Sequence, residues 1–347
     1  MVRLLFGSFV LALLLGILYV AEFCFALTDP QRGLPPQTLR TKGTRYSWGV
    51  PIHNNRIGFR SRELCPKPEG VFRIMVLGDS MTWGAGLPVS RRYSDILEQR
   101  LNRSFGAGRC EVHNFAVSGG PMILHARVLH YYLQSVDPDL IIVGFCYNDT
   151  QTILKGAPSP EQRRFDRRYG PTLQKMKNGL ARVGLPHIGV RAENTIRRIA
   201  ELCHVYPDSL TALARTYDPN SKEWKTFVRA VRTIKEASDS RGLPGPVFAS
   251  LNHGVYLNKP TDYTHPDRLV STFLRWHHQA EAVARRYGYR VVDFHEEIAS
   301  RLHGRSLVLN RLDNHPSAAL NRLYADKLYP IVYALVRQYG DSVYRAR

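Results

Sequence analysis

The chain has 347 residues, 44% of them hydrophobic, and a formal net charge of +19. That apolar content suffices for one large core or two smaller ones and excludes a disordered chain. A basic excess of this size raises the question of nucleic acid, but no zinc-finger spacing, RNP-like segment or basic heptad region accompanies it. Nucleic acid is therefore not expected as a partner, and the charge is read as attraction to anionic surfaces such as phospholipid headgroups or acidic polysaccharide.

In chain order, the first feature is the run "LLFGSFVLALLLGILYVA" at 4–21, which carries no charge until Glu22. At 1.5 Å per residue such a helix roughly spans a bilayer core. No small-residue cleavage signature follows, so residues 1–27 are expected to be an uncleaved single-pass anchor, with the remainder on the extracytoplasmic side. Residues 28–70, rich in Pro, Gly and Arg, read as a connector that packs in part through Trp48, Ile52 and Phe59.

From residue 71 the pattern alternates strand and helix. Strands are expected at 71–78 ("VFRIMVLG"), 111–117 ("EVHNFAV"), 139–146 ("DLIIVGFC"), 246–252 ("PVFASLN") and 289–294 ("YRVVDF"). Helices are expected at 93–105, 122–136, 267–288 and 317–340, the first with Ile96, Leu97, Leu101 and Phe105 on one face. This alternation predicts an α/β fold: a doubly wound three-layer sandwich around a central, mostly parallel five-stranded sheet, with the N-terminal transmembrane helix added. Domain limits follow as 71–347, interrupted at about 151–241 by a basic, partly amphipathic helical insertion. That insertion reads as a solvated helical excursion or as a cap that shapes an acyl pocket or rests on a membrane.

In an open parallel sheet, ligands gather at the carboxyl ends of the strands. The first strand ends in "GDSMTWGAG" with Ser80, the second in "NFAVSGGPM" with Gly119 and Gly120, and the third in "CYNDT" with Asn148. Two Asp/His/Pro stretches lie downstream, "TDYTHPDRL" with Asp262, His265 and Pro266, and "LDNHPSAAL" with Asp313, His315 and Pro316. Serine, glycine, asparagine and histidine thus fall on successive loops of one face.

This set, in this order, resembles the SGNH hydrolase superfamily, the GDSL-type esterases and lipases, in a membrane-anchored bacterial form. The block "VLGDSMTWGAG" at 76–86 is the most specific part, and the second block matches at Asn114 and Gly119. In the third block Cys146 stands where the family usually has glycine, ahead of Asn148 and Asp149. The resemblance implies Ser80 as nucleophile and a histidine as base. It also implies an aspartate holding that imidazole, and an oxyanion hole of the Ser80 and Gly119 backbone N–H groups with the Asn148 amide.

Of the two histidines, His315 is preferred because in the family this block opens the C-terminal helix. Pro316 also favours an extended backbone at His315, in which Asp313 and His315 point to the same side. The substrate expected is an acyl ester: a lipid, an acylated glycan or a small ester. An O-acyltransferase on a cell-envelope or exported polysaccharide and a catalytically silent binding or assembly protein are the alternatives.

No segment implies a nucleotide, metal or flavin, and oligomeric state is not legible. His277, His278 and Glu281 on one predicted helix read as packing or solvated residues, Asp79 as a turn residue and Asp293 as structural. The five cysteines form no C-x-x-C pair, and one disulfide, Cys65 with Cys110, is expected if adjacent parallel strands bring both to the same sheet edge.

Overall fold

The computed structural model describes residues 2–28, 45–47, 50–151, 160–203, 209–251, 268–301, 307–310 and 313–345. The chain divides into two compact units, one of residues 1–36 with 157–215 and the other of residues 37–156 with 216–347.

The first unit begins with helix α1 (Val2–Thr28), whose stretch Gly7–Cys24 has a mean hydropathy of 2.1. That is long and apolar enough for a membrane span or a signal sequence. The larger unit opens with a short antiparallel hairpin, β1 (Arg45–Ser47) and β2 (Val50–Ile52). Ile52 and Phe59 of the connector are buried, and the Phe59 ring packs at a tilt against Phe115 with ring centroids 4.6 Å apart; Trp48 lies outside the described residues.

The central sheet then starts with β3 (Phe72–Gly78), wholly buried. After the single-turn helix α2 (Ser80–Trp83) come α3 (Tyr93–Phe105), β4 (Cys110–Asn114), α4 (Met122–Val136) and β5 (Leu140–Phe145). The first unit resumes with α5 (Pro160–Arg182), α6 (Pro186–Leu202) and most of α7 (Ser209–Thr216). Within it the Tyr19 hydroxyl donates to the Val183 carbonyl at 2.5 Å and Glu22 accepts from the Ile188 N–H at 2.8 Å, tying the end of α1 to the α5–α6 pair.

The larger unit is completed by α8 (Lys222–Asp239), β6 (Val247–Ser250), α9 (Arg268–Arg286), β7 (Arg290–Asp293) and α10 (His295–Arg301). A second hairpin, β8 (Val308–Asn310) with β9 (Asp313–Pro316), leads into α11 (Ala318–Arg345). Helix α8 falls inside the span read from sequence as an insertion. It packs against α4, and its Phe227, Ala230, Val231 and Ile234 are buried in the core.

The five central strands run in the order β4-β3-β5-β6-β7, all parallel. Helices α3 and α11 cover one face, and α4, α8 and α9 the other, as right-handed crossovers require. Sheet and helices therefore form the doubly wound α/β sandwich expected. The strand order reverses at β3, and that places the crevice of the sheet at the carboxyl end of this strand.

One expectation fails. Cys65 and Cys110 are free thiols, Cys65 exposed and Cys110 buried. Cys110 is the first residue of β4 itself, opposite Phe72, and its backbone is clasped by Asn102 through two bonds of 2.8 and 2.9 Å. The thiol faces the core, where burial pushes its pKa up to about 12, while Cys65 sits seven residues before the strand partner, on the surface.

Candidate active site

Three adjacent strands supply the site. Ser80 follows β3, Gly119 follows β4 and Asn148 follows β5, so the serine has one donor loop on either side, each about one strand spacing of ~4.8 Å away.

The serine is presented by α2. Asp79 is its N-cap, extended at φ −95° and ψ −150°, and one carboxylate oxygen accepts the Met81 N–H at 2.9 Å. The other oxygen, Oδ2, accepts from the Ser80 hydroxyl at 3.3 Å and from the Asn148 amide at 3.2 Å. A single wholly buried carboxylate therefore caps the helix and holds the serine and asparagine side by side. Since an amide carries two N–H donors, Asn148 keeps one for a ligand.

The helix sits this close to the sheet because Gly78 and Gly144, partners in the β3–β5 register, carry no side chain where the Thr82 hydroxyl lies. A Cβ on either glycine would overlap that hydroxyl.

On the β4 side, the turn from Val117 to Gly120 closes through the Gly120 N–H on the Val117 carbonyl at 2.8 Å. Gly119 adopts φ +75°, a conformation that favours glycine at the third position of such a turn. Asn114, the second block's asparagine, is a brace. Its amide donates to the Thr82 carbonyl at 2.8 Å and to the Ser94 hydroxyl at 3.0 Å, while its oxygen accepts the Ala116 N–H at 3.0 Å.

On the β5 side, Cys146 is extended at φ −129° and ψ 155°, so the place usually held by glycine needs no left-handed backbone here, and the 3-10 turn Tyr147–Thr150 still presents Asn148. Asp149 accepts the Cys146 N–H at 3.0 Å. Burial, reinforced by the nearby charge of Asp79, pushes the pKa of its carboxyl well above the usual carboxylate value.

His315 lies on β9, an extended segment as Pro316 implied, and β9 packs against α2. Asp313 is on the same strand, two residues earlier; its side chain lies outside the described residues, as do Asp262, His265 and Pro266.

Sequence reasoning missed the residue that fastens this strand. The Asn321 amide donates to the Pro316 and Ser317 carbonyls at 3.4 and 3.0 Å, and its oxygen accepts the Tyr93 N–H at 3.0 Å. The Tyr93 hydroxyl meets Thr82 at 3.0 Å. A continuous buried chain of hydrogen bonds thus runs from the exit of the histidine strand through Asn321, Tyr93 and Thr82 to the serine helix. The visible signal was the pair of glycines in β3 and β5, since an interior strand glycine marks a close approach.

A second unforeseen brace lies on the far side of α2. Arg60, almost wholly buried, donates to the carbonyls of Gly84 and Leu87 at 2.7 and 2.5 Å, and its guanidinium lies 4.9 Å from the Trp83 ring centre. Burial, with Arg92 adjacent, lowers its pKa to about 10. Arg92 donates to the Arg60 carbonyl at 2.7 Å and forks onto Asp95 at 2.8 and 3.0 Å.

Among solved structures, a hydrolase from the metagenome of Lake Arreo is 15% identical, covering 78% of this chain and 98% of its own, with a TM-score of 0.42. The esterase EstA from Pseudoalteromonas sp. is 14% identical, covering 76% and 98%, with a TM-score of 0.42. An acetylxylan esterase from Geobacillus stearothermophilus is 13% identical, covering 82% and 100%, with a TM-score of 0.40. No curated protein sequence matches. The family model described as the GDSL-like lipase/acylhydrolase family matches residues 76–323, from within β3 to the first turns of α11. The chain therefore belongs to the GDSL-like lipase/acylhydrolase family.

Proposed function

We propose that this family member is a membrane-tethered serine esterase that cleaves an acyl ester through an acyl-enzyme on Ser80. The observation that carries the reading is the shared carboxylate: Asp79 Oδ2 accepts from both Ser80 Oγ and Asn148 Nδ2, so the nucleophile and an amide donor are neighbours before any substrate arrives.

In the proposed reaction His315 takes the Ser80 proton as Oγ bonds to the acyl carbon, and the carbonyl π pair moves onto oxygen. The backbone N–H groups of Ser80 and Gly119 and the remaining Asn148 N–H meet that oxyanion. Collapse expels the alcohol, which takes the proton from His315. Water then repeats the sequence on the acyl-enzyme and releases the acid. Asp313 is assigned to orient His315. The ester is that of a lipid, an acylated glycan or a small alcohol, and the tether is α1.

The test is labelling of the full chain with a fluorophosphonate, then hydrolysis of a series of esters of increasing acyl length. Covalent labelling that disappears in Ser80→Ala, with acid released from at least one ester, is the expected result. A chain that neither labels nor hydrolyses any ester would refute the enzyme reading in favour of a silent binding protein.

A further inference from the structure

At the carboxyl end of the edge strand β7, three side chains with metal-ligating chemistry converge. His278 on α9, Asp293 at the carboxyl end of β7 and His295 at the start of α10 each offer one ligand atom, and all three atoms lie within 4.8 Å of one another. His278 is exposed, Asp293 half-buried and His295 buried. The sequence pairs His278 with His277 and Glu281 on the same helix. The fold buries His277 and Glu281, the His277 ring lying 5.5 Å from that of His295, and leaves His278 exposed beside Asp293 and His295.

The tautomer of His295 bears on what the cluster can do. Its Nδ1 meets Asp293 Oδ1 in a very short contact, and its backbone N–H donates to the same oxygen at 2.8 Å. Carboxylates stand in this way behind metal-bound imidazoles, fixing the ring and raising its basicity. The other nitrogen, Nε2, is buried with no hydrogen-bond partner among the described residues, in a ring only 8% exposed. A buried lone pair left unmatched is costly. The ring centres of His278 and His295 are 5.8 Å apart.

We propose that His278, His295 and Asp293 bind one divalent transition-metal ion of the zinc type. The two imidazoles act as nitrogen ligands, and Asp293 contributes directly or through its bond to His295 Nδ1. Two nitrogens and one carboxylate suit zinc, whose bonds of roughly 2.0–2.2 Å would draw the three groups together and leave a coordination position for water. They suit magnesium or calcium poorly, since those ions take oxygen ligands. The ion would clasp α9 to the junction of β7 and α10. With β5 and β6 between β7 and β3, the site lies about 14 Å from the serine loop by strand spacing, so it is a structural clasp and not part of the ester chemistry.

The experiment uses the full chain without an affinity tag, stripped with a chelator and then offered Zn²⁺, Co²⁺ or Mg²⁺. One Zn²⁺ or Co²⁺ per chain retained after dialysis, a rise in Tm with Zn²⁺ but not Mg²⁺, and visible Co²⁺ absorption of low-coordinate type are expected. His278→Ala, at an exposed position, should weaken binding by about tenfold or more and abolish the Tm rise, while fluorophosphonate labelling of Ser80 persists. His295→Gln should lose the ion as well. Absence of retained metal in the wild-type chain, or binding by His278→Ala equal to wild type, would overturn the proposal.

Discussion

The serine side and the histidine side of the candidate site are built differently. Ser80, Gly119 and Asn148 stand at the carboxyl ends of three adjacent core strands; Ser80 and Asn148 are joined through buried hydrogen bonds to Asp79, and Asn114 of the second strand bonds to the Thr82 carbonyl. His315 instead lies on a two-stranded hairpin outside the central sheet, whose exit is bonded to Asn321. In a proposed hydrolase the oxyanion donors must be fixed in advance, whereas the base must move a proton between partners.

The largest effect is expected at the nucleophile: Ser80→Ala should lower turnover by about 10⁴-fold or more and leave Tm close to wild type, read by ester hydrolysis and calorimetry. Asn148→Ala removes one proposed oxyanion donor; such a donor is worth about 3 kcal/mol of barrier, so turnover should fall by roughly 100-fold with KM little changed. Activity near wild type would remove Asn148 from the mechanism.

On the histidine side, Asn321→Ala cuts the link between the strand exit and Tyr93. A loss of roughly tenfold in labelling rate is expected, on the scale of about 1.4 kcal/mol for the hydrogen bonds removed. An effect as large as that of Ser80→Ala would show that the two sides are one rigid unit.

Acid should sharpen the same contrast through stability. Burial pushes His113 and His125, both on the serine side, down to about 4 from the ordinary 6.5. Between those values the unfolded chain binds protons that the folded chain does not. Stability from this source is therefore complete above about pH 6.5 and lost as pH falls toward about 4. Tm measured across that range should fall, and His125→Gln should flatten the slope.

The smallest effect is expected from Asp149→Asn. An amide of the same shape keeps an oxygen for the Cys146 N–H, and an activity loss beyond a few-fold would show that the carboxyl itself matters.

What the sequence made legible follows this division. The five strands and the helices at 93–105 and 122–136 appear where apolar runs and 3.6-residue periodicity put them, because each buries its pattern against the sheet. The loops after β3, β4 and β5 carry short motifs with local mechanics, and so the serine, glycine and asparagine positions could be read directly. The β8–β9 hairpin could not, since three- and four-residue strands with an irregular register offer no alternation to detect. Asp79 reads as a turn residue and Asn321 as one polar position in a helix; their roles come from groups 69 and 228 residues away in the chain. Helix α8 reads like the basic helices before it, although its buried face belongs to the core against α4.

The most direct test of the proposed pairing between Ser80 and the histidine of β9 compares His315→Ala with His265→Ala in fluorophosphonate labelling of the full chain. Loss of labelling in His315→Ala alone, with His265→Ala labelling at the wild-type rate, is the predicted result. Loss in His265→Ala with labelling intact in His315→Ala would contradict the account.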